Sequence, residues 1–176
     1  MIRGKLIFYF CFFSCLSMVF SSCSTKKKTW FSRQYHNTTA RYNGYFNGNE
    51  SIKYGVKKIN DSFEDDYSTI LPVFKTGNLK KSKSTHPYMD KAIQKGSIVI
   101  QKHSIKIRGK EYCRWIDDNY FMIGRAYYYK GEFDEAIKTF SFIMEEYKKS
   151  LMSYKASLWP VSYTHLRAHE TPEHRV

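Results

Sequence analysis

Between about Asp117 and Lys148, apolar residues recur every three or four positions. Tyr120, Ile123, Gly124 and Tyr127 set one stripe, Gly131 interrupts it, and Phe133, Ala136, Ile137, Phe140 and Ile143 resume it. That period belongs to amphipathic helices, and a glycine between two such runs marks a tight turn. The pattern predicts two helices folded back on each other. Gly124 and Ala136 lack bulk, so the helices can approach closely, and Tyr127 and Phe140 are expected to fill the groove between them. Asp117 and Asp118 stand where negative charge favours a helix start.

Looser copies lie upstream. Tyr42, Phe46, Ile52, Gly55 and Ile59 keep the spacing, with Asn47-Gly48-Asn49 as the turn, so 34–62 is expected to form a degenerate helical hairpin. Ile93, Gly96 and Ile100 keep the second-helix spacing alone. From 63 to 87 no period holds: Glu64-Asp65-Asp66, then Leu71-Pro72-Val73-Phe74, then a Lys/Ser-rich run read as an irregular insertion or loop. Residues 88–159 form the main repeat region, with 117–148 its best copy. Leu151 to Trp159 reads as the first helix of a further pair.

The segment IGRAYYYKGEFDEAIKTFSFIMEEY resembles a tetratricopeptide repeat. Tyr120 stands where that pattern often has Trp, Ile123 where it has Leu, and Gly124 and Tyr127 match directly. Phe133, Ala136 and Phe140 fall on its aromatic, alanine and aromatic positions. Ile143 departs from the usual alanine and Lys148 from the usual proline. The resemblance implies an all-α fold, an α-solenoid of helical hairpins, with those seven residues packing the repeat. Each such repeat leaves an apolar face that a neighbour must bury.

Both ends of the chain read differently from its middle. Arg3 and Lys5 precede an apolar run from Leu6 to Phe20, followed by Ser21-Ser22-Cys23. A charged start, a short apolar stretch and small residues at a cut make a secretory signal over 1–22. Fifteen residues at 1.5 Å each reach about 22 Å, short of the roughly 30 Å hydrocarbon core. Phe20-Ser21-Ser22-Cys23 resembles a bacterial lipobox, with Phe20 where leucine is usual. Cys23 is therefore the expected lipid attachment site, with 23–33 as a tether, and several acyl chains make a stable anchor. Ser24 and Lys26-Lys27-Lys28 do not resemble the acidic export tag of surface lipoproteins, so a periplasm-facing outer-membrane location is expected. At the other end, VSYTHLRAHET (Val161 to Thr171) matches one translated frame of a common transposase sequencing adapter. Residues 160–176 are thus expected to be read-through, with the native chain continuing past about Trp159. His165 and His169, one helical turn apart beside Glu170, would otherwise be the best metal candidate, and are set aside; no metal or other cofactor is expected.

The formal charge is +13, and only two of the 29 basic residues leave with the signal. Nine Lys and one Arg face Asp90 alone between Lys75 and Lys110. Such a block suits a solvated face, anionic lipid or an acidic protein surface; export argues against nucleic acid. Cys113 is the one cysteine left once Cys11, Cys15 and Cys23 are assigned, so no disulfide or CxxC metal pair forms. It is expected to be a small buried hydrophobe. His36, His86 and His103 share no ligand spacing, and the adjacent Asp117-Asp118 and Glu145-Glu146 pairs diverge around their helices. No catalytic residue is expected.

Aromatics crowd Trp30 to Tyr54. Tyr42 and Phe46 fit a core stripe, whereas Tyr35 and Tyr45 are freer and are the candidates for partner contact. Together, RQYHNTTARYNGYFNGNESIKYGVKKI and KGSIVIQKHSIKIRGKEYCRWIDDNYFMIGRAYYYKGEF resemble the amino-terminal part of the large tetratricopeptide-repeat lipoproteins of Bacteroidota, the SprE/PorW kind, associated with gliding motility and type IX secretion. The resemblance implies a non-catalytic outer-membrane scaffold binding other envelope proteins of that machinery. A SusD-like glycan-binding lipoprotein is the alternative, and would be expected to face outward. Cys23→Ala is expected to abolish incorporation of labelled palmitate; undiminished labelling would contradict the lipobox.

Overall fold

The computed structural model describes residues 29–62, 67 and 83–159, and these are mostly helical. By contacts the chain divides into Met1–Ser32 and Arg33–Val176. In the first unit the described residues are 29–32, where Trp30 and Phe31 are exposed and their rings meet edge to face at 4.9 Å. In chain order come α1 (Trp30–Thr39), a π-helical stretch (Ala40–Phe46), α2 (Asn47–Asp61), a 3₁₀ turn (Lys83–Thr85) and α3 (His86–His103). Then follow β1 (Lys106–Ile107), β2 (Lys110–Glu111), α4 (Ile116–Lys130), α5 (Phe133–Glu146) and a last helix, α6, over 151–159. Cys23, Leu71 to Phe74 and the 160–176 tail lie outside the described residues.

The α4–α5 pair follows the apolar spacing closely. Gly131 takes φ 86°, a left-handed conformation that costs glycine little, and its N–H donates to Tyr128 O at 3.0 Å. The Glu132 N–H donates to Tyr127 O, also at 3.0 Å, and the chain reverses into α5. A methyl group on Gly124 would stand 2.6 Å from Phe140 Cε1. The Phe140 ring is itself stacked on Trp159, centroids 5.6 Å apart, and lies 5.8 Å from Phe121. It has nowhere to retreat.

Tyr127 does not fill that groove. It is half-buried at the edge of the core, and Tyr128 is the fully buried tyrosine, edge-on to Trp159 at 5.0 Å and Phe133 at 5.4 Å. The reason is that α4 is not a surface helix with one apolar stripe. Phe121, Met122, Ile123, Gly124, Ala126, Tyr128 and Tyr129 are all buried, because α3, α5 and α6 pack around it. Met122 also meets Gly48 of α2. A helix hydrophobic almost all round is a central one.

The expected hairpin over 34–62 is absent. Thr39, Phe46 and Asn47 all keep right-handed helical dihedrals, so the backbone runs from α1 through the π-helical stretch into α2 without a turn. Asn-Gly-Asn is a turn signal only where the chain is free to bend. Here Asn47 Nδ2 donates back to Asn43 O at 3.3 Å, and Gly48 gives Met122 room: a methyl there would lie 2.5 Å from its Sδ. Gly55 similarly admits Met89. These glycines are spent on helix contact instead of on a bend. The expected 63–87 insertion also ends early, since α3 begins at His86 and Pro87 sits in its first turn, where its missing N–H costs nothing.

Between α3 and α4 lies a small β-hairpin that the periodicity did not foretell. Arg108 (φ 50°) and Gly109 (φ 78°) form its tip. The Glu111 carboxylate holds the loop: Oε1 accepts from the N–H groups of Ile105, Tyr112 and Cys113 at 2.8–2.9 Å, and Oε2 from Ser104 Oγ at 2.5 Å. Lys106 reaches Glu146 and ties the hairpin to the end of α5. At the start of α6, Ser150 Oγ accepts from the Met152 N–H at 2.9 Å and donates to Asp117.

Gly124→Leu is expected to destabilise the protein by roughly 1–3 kcal/mol or more, because the added bulk meets an immobile ring. A variant melting within a degree of the parent would contradict the contact.

Candidate functional site

In the second unit α1, α2 and α3 carry exposed aromatic and cationic side chains. Tyr35, Tyr42, Phe46 and Tyr54 are each more than half exposed along the first three helical segments. Between α2 and α3 lies a groove of about 400 Å³ lined by Asn47, Glu50, Tyr54, Tyr88, Lys91 and Lys95. Ser51 Oγ donates to Tyr88 O at 2.8 Å and pins the two walls together. Lys58 Nζ stands 6.0 Å from the Tyr88 ring centroid. Glu50, the one carboxylate of the lining, is taken by Lys53 at 2.6 Å. The groove is thus cationic and aromatic.

The two residues singled out for partner contact fare differently. Tyr35 is exposed, but its ring also closes over His36 and His103, at 5.4 and 6.1 Å. Tyr45 turns inward instead, half-buried with its ring 5.4 Å from Trp115, and burial raises its pKa. Tyr42 and Phe46, expected in the core, are exposed. The π-helical stretch explains this exchange: its wider turn advances the side chains around the axis more slowly than a 3.6 period assumes. Ala40 and Gly44 consequently take the buried positions.

The seven residues expected to pack a repeat lie at different depths, with Tyr127 at the core's edge. Ile123 is buried and closes on Gly96 of α3, where a methyl would lie 2.8 Å from its Cγ1. Ala136 and Phe140 are buried. Phe133 and Tyr120 are half-buried, Tyr120 with its ring 4.8 Å from Phe142.

Two histidines with no common spacing meet in space. His36 Nδ1 and His103 Nδ1 are 2.8 Å apart and buried, one ring donating and the other accepting. Burial first, then the neighbouring His36 and Lys102, lowers the His103 pKa. Nothing in a separation of 67 residues announces this pair. Cys113 lies nearby, 1% exposed, with its thiol toward His36 O at 3.8 Å. Burial pushes that thiol up to about 11, so it is held as the unreactive thiol. Among the described residues no three His, Cys, Asp or Glu side chains gather as a metal site, and no helix is long and apolar enough to cross a membrane.

In comparisons with known proteins, the chain matches no protein-family model and no curated sequence.

Asp118 carries the largest perturbation of a carboxylate here. Burial first and Asp117 second raise its pKa from 3.8 to about 6, and Lys155 opposes them. The folded protein keeps this proton over a pH window in which the unfolded chain has released it. Its burial therefore costs stability as pH rises through that window, and the cost is complete above it. Asp118→Asn is expected to stabilise the protein at pH 7.5 by about 1 kcal/mol, a rise of roughly 2–4 °C, discounted for the solvent the group retains. The gain should shrink toward pH 4. A pH-independent gain in melting temperature would contradict this origin.

Proposed function

We propose that this chain is a non-catalytic docking protein built on tetratricopeptide-type helical hairpins, tethered to the outer membrane through an acylated Cys23. The observation that carries the reading is the packing of the α4–α5 hairpin. α3 lies on one side of it, and α6 brings Trp159 onto Phe121, Tyr128 and Phe140 on the other. An apolar hairpin buried between helical neighbours is how repeat proteins make an extended surface. The aromatic and cationic surface of α1–α3 supplies groups suited to holding another protein, since tyrosines anchor interfaces at low entropic cost. Taken with the resemblance over Arg33 to Ile59 and Lys95 to Phe133, the partners are envelope proteins of a secretion and gliding machinery, and the chain faces the periplasm.

A photo-crosslinking residue placed at Tyr54 in whole cells is expected to capture envelope proteins. One placed at Lys138, an exposed position of α5 outside that surface, should capture far less. Equal capture at both positions, or none at Tyr54, would contradict docking through this face.

A further inference from the structure

The exposed side of α3 carries an ordered stripe. Tyr88, Lys91, Lys95, Ile98 and Lys102 follow one another at alternating spacings of three and four, so they share a face. Tyr88, Lys91, Ile98 and Lys102 are exposed, Lys95 partly so. From Lys91 to Lys102 the stripe runs about 16 Å. Its upper half forms one wall of the groove whose other wall is α2, with Tyr54 facing Tyr88.

The charges of this stripe are not spent within the fold. Among the described residues Lys91, Lys95 and Lys102 make no ion pair, whereas Lys53, Lys106, Lys130 and Lys138 each do. Among the described residues the nearby acids pair with other lysines: Glu50 with Lys53, and Asp90, beside Lys91 in sequence, with Lys130 at 2.9 Å, a lysine it shares with Glu132. Three lysines along one face, with no described carboxylate paired to them, present positive charge beside a recessed groove.

We propose that this groove and stripe receive an acidic segment of a partner protein. It rests on the docking reading above and names the partner's chemistry. Carboxylates of that segment pair with Lys91, Lys95 and Lys102, and its apolar or aromatic residues lie between Tyr54 and Tyr88 and against Ile98. A groove recessed between two helices fits a linear chain, whereas a lipid surface is flat and would meet only the rims. The excess positive charge of the whole chain steers such a segment inward and makes capture fall with salt.

The test uses the full chain, a fluorescein-labelled peptide of alternating glutamate and alanine, and its glutamine counterpart, read by anisotropy at low and high salt. The glutamate peptide is expected to bind about tenfold or more tightly than the glutamine one, and to release at high salt. Lys91→Glu with Lys95→Glu should weaken it about tenfold or more at an unchanged melting temperature. Lys138→Glu with Lys148→Glu, exposed cations elsewhere, should leave it unchanged. Tyr54→Ala, at an exposed position, gives a second variant in case the charge reversal perturbs folding, and should weaken binding severalfold. Equal binding of the two peptides, or equal loss in the Lys138/Lys148 control, would overturn the proposal. So would anionic phosphatidylglycerol vesicles binding through Lys91 and Lys95 while the peptide does not. If the peptide fails yet Tyr54 still crosslinks envelope proteins in cells, docking stands and the acidic partner falls; if both fail, docking itself is refuted.

Discussion

Where the helices of this protein cross, a side chain is missing on one of them. Gly44 faces Val99, Gly48 faces Met122, Gly55 faces Met89, Gly96 faces Ile123 and Gly124 faces Phe140, and at each a methyl group would come within 3 Å of its neighbour. The absent carbons let the backbones approach, and larger residues on the opposing helix fill the space. The crossings are not equally strict. Met122 and Met89 present the ends of flexible chains, which can move aside. Phe140 is a ring held by Trp159 and Phe121, and Val99 is branched at Cβ, so those two contacts have less give. A glycine within a helix costs about 1 kcal/mol relative to alanine, so close packing must return at least that much.

This packing also fixes what remains outside. With α4 enclosed, the polar faces of α2 and α3 are pushed to the surface, and α3 carries its lysines along one side. The connection from α3 to α4 is held by one carboxylate. Glu111 satisfies three backbone N–H groups that the short hairpin would leave unpaired. Lys130 joins Asp90 of α3 to Glu132 in the α4–α5 turn, and Arg125 of α4 donates to Asn49 of α2 at 3.1 Å. Packing sets the layers, and these few polar ties fix how they lie.

The α4–α5 hairpin was legible in the chain because its signals agree. The 3–4 period, Gly131 at the turn, and small residues at Gly124 and Ala136 all point to one arrangement. At α1–α2 the signals conflicted. Asn47-Gly48-Asn49 is a turn by local rules, yet Gly48 lies in a helix against Met122, which stands 74 positions further along. A π-helical stretch, invisible to a 3.6 period, then exchanged the expected roles of Tyr42, Phe46 and Tyr45. The candidate surface was half legible: its aromatics and lysines stood out, but their gathering into one groove depends on how α2 meets α3. The His36–His103 contact had no local signal at all.

The missing side chain at Gly124 makes room for Phe140. A double-mutant cycle measures this directly, comparing Gly124→Ala in the parent with Gly124→Ala in a Phe140→Leu background. The alanine is expected to destabilise the parent by about 1 kcal/mol or more, but to be neutral or stabilising once the ring is gone. An identical effect of Gly124→Ala in both backgrounds would contradict it.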